Sequence, residues 1–235
     1  MLLKKIKNPF RRKTPKMPSK GYNTLTEAIK KTPEYTTKEV AIVKVENEYY
    51  NISKSREKNR TIIDEKLLKK AFKHKKSKIV HTHTIGPLKE LPSANDISVL
   101  FFEHFKYKKN FTAISNIDRK TGEISGAIGV LFTTKTITFI ENNFFIPKTR
   151  DVSILQRNIY EAILKEQSAA KTRAQDIANF QKNKTGKTFI ETYNKELKRI
   201  MFDYYQNVLG LKIRFVPNTT KGYRFNKERM AFERI

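Results

Sequence analysis

Between residues 64 and 107 the chain switches from helical to extended patterning and back again. Asp64–His74 (DEKLLKKAFKH) carries apolar residues at 67, 68, 71 and 72, the stripe of an amphipathic helix, and Asp64 is placed to cap it. Lys78–Val80 then starts a short strand that delivers His81 and His83, and a second apolar helix runs from Ser93 to about Tyr107. Around this frame lie a short helix at 24–31 ended by Pro33, a β-branched strand at Glu39–Val45, and its hairpin partner at Tyr49–Ser53. Three strands follow, at Phe111–Ile117, Ile124–Thr133 and Thr136–Glu141. Asp118–Glu123 (DRKTGE) joins the first two, with Gly122 supplying a positive φ. The expected order is β-β-α-β-α-β-β-β, an α/β domain whose mixed sheet is flanked by helices.

Pro147 marks a boundary. Residues 151–182 and 188–209 read as two long helices, Gly210 as the residue ending the second, and Leu211–Val216 as a strand. Three parts are therefore expected: a basic arm at 1–20, an α/β domain at 21–147, and a basic helical region at 148–235.

Charge is the strongest bulk feature. The chain has 235 residues, with 49 Lys and Arg against 23 Asp and Glu, a formal net charge of +26. Such an excess repels itself unless a polyanion neutralises it, and nucleic acid is the commonest polyanion. Candidate phosphate contacts are Lys4, Lys5, Lys7, Arg11, Arg12 and Lys13 in the arm, and Lys198 and Arg199 beside the aromatic residues Phe202, Tyr204 and Tyr205. For those aromatics, core packing is the competing reading. The basic N-terminus lacks the apolar stretch of a secretory signal, and no run approaches the ~18 apolar residues of a membrane span, so a soluble, cytoplasmic protein is expected. Lys182–Thr188 (KNKTGKT) ends like a phosphate-binding loop, but Gln181 stands where the first glycine would be, so nucleotide binding there is rejected.

The chain has no Cys, so any zinc must be held by His and carboxylate groups. His81 and His83 are one residue apart, and a strand's period of two puts both imidazoles on one face. Asp96 would enter from the first turn of the following helix. Two His and one carboxylate leave a zinc position open, as in catalytic sites. Taken alone, Ser93 and Asp96 also read as a helix-capping pair. His74 and His104 lie on helices among Lys and aromatic residues and read as surface or core-edge histidines.

The segment TIIDEKLLKKAFKHKKSKIVHTHTIGPLKELPSANDISVL resembles the core of JAB/MPN (JAMM) metalloprotease domains, most closely the RadC-like branch. The likeness covers about residues 36–140. It implies a cytidine-deaminase-like layering, zinc held by His81, His83 and Asp96, a supporting hydroxyl on Ser93 and a general base upstream, for which Glu39 is the best match. It also implies hydrolysis of a peptide or isopeptide bond, with a ubiquitin-like modifier or a small precursor protein as substrate. The family usually has Pro where this chain has Thr84, and the connection from His83 to Ser93 is longer here. The alternative is a DNA-associated or viral accessory protein that uses the same fold as a scaffold, binding nucleic acid without proteolysis.

Overall fold

The computed structural model describes residues 16–17, 21–57, 60–74, 76–84, 88–144, 151–185 and 188–235. Lys4, Lys5, Lys7, Arg11, Arg12, Lys13 and the boundary at Pro147 lie outside the described residues. The first half holds α1 (Leu25–Lys30), β1 (Ala41–Val45), β2 (Glu48–Asn51), β3 (Ser53–Glu57), β4 (Arg60–Ile63), α2 (Glu65–Phe72), β5 (Ser77–His83) and α3 (Ala94–Tyr107). The second half holds β6 (Phe111–Ile117), β7 (Ile124–Leu131), α4 (Thr134–Phe144), α5 (Val152–Thr185), α6 (Phe189–Asp203), β8 (Lys212–Pro217), β9 (Tyr223–Asn226) and β10 (Ala231–Arg234).

The fold is mixed α/β. Its main sheet has six strands in the order β2-β1-β5-β6-β7-β8. Only β5 and β6 run parallel, and α3 makes the crossover that a parallel pair requires. Cross-strand partners share a face, so the registers define two rows on one side of the sheet. One row is Val43, Ile79, Thr112, Val130 and Ile213; the next is Ala41, His81, Ile114, Ile128 and Phe215. Helix α2 buries Leu68, Ala71 and Phe72 against the β1–β5 end of this face. Helices α3, α5 and α6 cover the rest with Leu100, Phe101, Ile159, Leu197 and Met201. The opposite face packs Val40, Ile42 and Ile117 against Ala28 and Ile29 of α1.

Local chemistry explains most of the boundaries. Asp64 accepts from the amides of Lys66 and Leu67 and starts α2. Gly122 has φ +68 in the turn joining β6 to β7, and Gly210 has φ +69 between α6 and β8, as expected of both. Helix α5 has no Gly or Pro, and it buries Leu155, Ile159, Ile163, Ala170, Ala174 and Ala178, largely at four-residue spacing, as one continuous stripe. The main chain of α6 passes through a π turn at Tyr204–Val208 before Gly210.

Two expectations change. Thr136–Glu141 is not a strand but lies within α4. The β-branched residues there suggested a strand, but the burial falls on Thr136 and Ile140, one helical turn apart. The Thr133 and Thr136 hydroxyls, which accept from each other's amides and donate to the Gly210 carbonyl, fix the helix start. Second, the segment after β2 does not end at Ser53: Ser53–Ile63 forms a separate two-stranded hairpin, β3–β4. As expected, the strand that starts near Lys78 carries both histidines, and β5 runs from Ser77 to His83. The strand expected after the long helices does form, and β8 pairs with β7 to extend the main sheet. Among the described residues, no helix is long and apolar enough to cross a membrane.

Candidate metal centre

His81 and His83 occupy the last turn of pleat in β5. His81 lies opposite Ala41 of β1 and Ile114 of β6, and His83 lies opposite Asn116. Both imidazoles therefore face α3, whose first turn carries Asp96. Asp96 Oδ1 lies 2.9 Å from His81 Nε2, and Oδ2 lies 3.2 Å from His83 Nε2. The two Nε2 atoms are 3.3 Å apart. Four bonds of about 2.0–2.1 Å in a tetrahedron put neighbouring donor atoms about 3.3–3.4 Å apart. The two imidazole nitrogens sit at that spacing, and Asp96 meets each of them through a different oxygen; one donor atom from each of His81, His83 and Asp96 lies within 4.8 Å of the others, close enough for the three to hold one metal ion.

The partners around these groups favour the same arrangement. His83 Nδ1 lies 3.0 Å from the Lys89 carbonyl, an acceptor, so it carries the proton and Nε2 is left for the centre. Burial alone would lower the His83 pKa, but the Asp96 carboxylate, with help from Glu39, overrides it and pushes the imidazole up to about 9. Burial pushes Asp96 upward, and the two imidazoles hold it well below the usual carboxylate range.

Asp96 is also the third residue of α3. The Ser93 hydroxyl accepts from the Asp96 amide at 3.2 Å, and the Ser93 amide donates to Asp96 Oδ2 at 2.6 Å, a complete capping box. The capping reading of this pair holds, and the same carboxylate lies close enough to His81 and His83 for the three to hold a metal ion.

Glu39, which precedes β1, and Ser93 line the same cleft of about 780 Å³ as the three donors. Thr61 of β4 donates its hydroxyl to the Glu39 carbonyl and holds that backbone. Burial raises the Glu39 carboxyl above its ordinary pKa, and the His83 and His81 imidazoles pull it part of the way back. Ile62, Tyr160 and Leu164 leave large apolar surfaces exposed. Ile62 and Tyr160 also line this cleft, the latter from α5.

Of the basic candidates, Lys198 and Arg199 are among the described residues, and neither lines this cleft. Lys198 is buried: its ammonium sits 3.0 Å from Glu90 Oε2, off the hydrogen-bonding direction, and donates to the Met230 carbonyl at 3.2 Å. Arg199 is about half exposed and pairs with Glu196 at 2.8 Å. Tyr205 is fully buried in the core, as the packing reading expected. Two cleft contributions were not anticipated from sequence: the α5 wall and Glu103 of α3. Glu103 had a legible signal, a lone acid in the apolar run LFFEHF. No protein-family profile, curated protein or solved structure matches this chain.

Proposed function

We propose that the protein is a zinc-dependent hydrolase of the JAMM type, on a JAB/MPN-like fold, that cleaves a peptide or isopeptide bond. The observation that carries this reading is the convergence of His81, His83 and Asp96, close enough together to hold one metal ion, in a cleft that also holds Glu39. Zinc held by these three residues would supply Lewis-acid activation of water and of the scissile carbonyl.

The chain's own groups fit the remaining roles. Glu39, with its raised pKa, takes the proton from the attacking water and returns it to the leaving amine. In the capping box the Ser93 oxygen acts as acceptor, so its O–H remains able to donate to the oxygen that gains charge during attack. Lys89, through its carbonyl, fixes the His83 ring. The β3–β4 hairpin and α5 wall the cleft and limit access of bulk water. A ubiquitin-like modifier remains the substrate expected from the resemblance.

The test is elemental analysis of untagged protein, followed by hydrolysis of a peptide and isopeptide library. Zinc near one per chain is expected, lost in His81→Ala and Asp96→Ala. Glu39→Gln should retain zinc and lose hydrolysis. Protein without bound zinc after zinc loading, or full activity in Glu39→Gln, would overturn the reading.

A further inference from the structure

The cleft does not end at the three donors. It continues along α3 to Glu103, two helical turns or about 10 Å beyond Asp96. Its lining between these two acids includes Val99 of α3 and Ala41, Ile79 and Thr112 of the sheet. The slot is therefore narrow in chemistry: aliphatic walls, one hydroxyl, and a carboxyl at the far end.

Glu103 is 1% exposed, and its Oε1 has no hydrogen-bond partner among the described residues. Lys109 acts on it electrostatically, but the Lys109 ammonium donates to the His74 carbonyl at 3.2 Å. Burial dominates and pushes the Glu103 carboxyl up to about 8, against the weaker pull of Lys109. Buried polar atoms are nearly always hydrogen-bonded, and an exception at the wall of a cleft points to a partner that arrives from outside. A carboxyl at the end of an aliphatic slot is complementary to a cation on an aliphatic stem.

We propose that this end of the cleft is a subsite for a lysine or arginine side chain of the substrate, with Glu103 as the counter-ion that selects it. The assignment rests on the hydrolase reading for its purpose, since the selected residue would flank the scissile bond. The recognition step itself needs no metal.

The experiment uses the full chain without added metal and two probes, N-acetyl-lysine methylamide and N-acetyl-norleucine methylamide, titrated by NMR. They share the aliphatic stem and differ in the ammonium group. The wild type should bind the lysine probe about tenfold more tightly or better, the scale of one charge-assisted hydrogen bond. Glu103→Gln, which resembles the protonated acid in shape, should remove that preference and leave norleucine binding unchanged. In the wild type, the methyl resonances of Ile79 and Val99 should move with the lysine probe. Equal binding of the two probes, no binding of the lysine probe, stationary methyl signals, or a preference that survives in Glu103→Gln would each overturn the subsite. Absence of zinc or of hydrolysis would sink the hydrolase reading and leave this comparison intact.

Discussion

Ser93 and Asp96 hold each other across the first turn of α3, with the Ser93 amide 2.6 Å from Asp96 Oδ2 and the Asp96 amide 3.2 Å from Ser93 Oγ. The cap fixes the carboxylate before any ion arrives, so folding of the helix start and preparation of the centre are one event. Asp96→Asn keeps an oxygen for the Ser93 amide and should retain most of the stability. It should lose zinc affinity by more than ~100-fold, beyond the effect of removing an outer partner. Ser93→Ala should cost about 1 kcal/mol and leave zinc bound, with hydrolysis reduced. Urea melts and zinc titration separate the two, and an Asp96→Asn protein with unchanged zinc affinity would contradict the ligand assignment.

Glu103 makes a distinct prediction for stability against pH. Its carboxyl is raised from an ordinary 4.5 to about 8 by burial. A folded state that keeps the proton is favoured below the unfolded pKa, and that advantage is lost as pH rises through the folded one. Relative to Glu103→Gln, the wild type should lose stability between about pH 4.5 and 8, with a slope of about 1.4 kcal/mol per pH unit where one proton is held. Denaturant midpoints measured across that range check it. Parallel curves for the two proteins would show that Glu103 is ionised when folded.

Lys198 and Glu90 form a buried pair that ties α6 to the segment between the ligand sets. Lys198→Met leaves the buried Glu90 only the more distant Lys89 ammonium, at 3.7 Å, and should cost about 3 kcal/mol. Because the Lys89 carbonyl orients His83, zinc affinity should fall by about tenfold as well. The double variant with Glu90→Gln should recover much of the stability. A Lys198→Met protein as stable as wild type would show that Glu90 finds another partner.

Gly126 of β7 lies directly beneath the Phe232 ring of β10, and a Cβ there would land on the ring. Gly126→Ala should therefore lift the β9–β10 hairpin and cost about 1–3 kcal/mol. Phe232→Ala in the same chain should relieve the clash, so the two losses should fall short of additive in thermal melts.

The sequence was most legible where one physical constraint acted alone. The i, i+4 stripe and Asp64 cap of α2 and the positive φ of Gly122 each had a single local cause. His81 and His83 were legible as a pair because a strand's period leaves both on one face. Thr136 was misread because β-branching favours strands, while its real constraint, the Gly210 carbonyl, lies far along the chain. The β3–β4 hairpin was missed because SKSRE and RTII lack a two-residue turn signal and a shared apolar face. Lys198 looked like a surface charge because its partner Glu90 is remote in sequence. Burial of charged residues is a tertiary property that local patterning does not carry.

The return of β8 to the main sheet makes the cleft a long-range structure. His81, His83 and Asp96 lie on one short stretch of chain, but one cleft wall comes from α5, and Lys198, which meets Glu90 beside the Lys89 carbonyl, also donates to the Met230 carbonyl. Local opening of residues 188–235 would therefore loosen the surroundings of the three side chains while leaving the stretch that carries them intact.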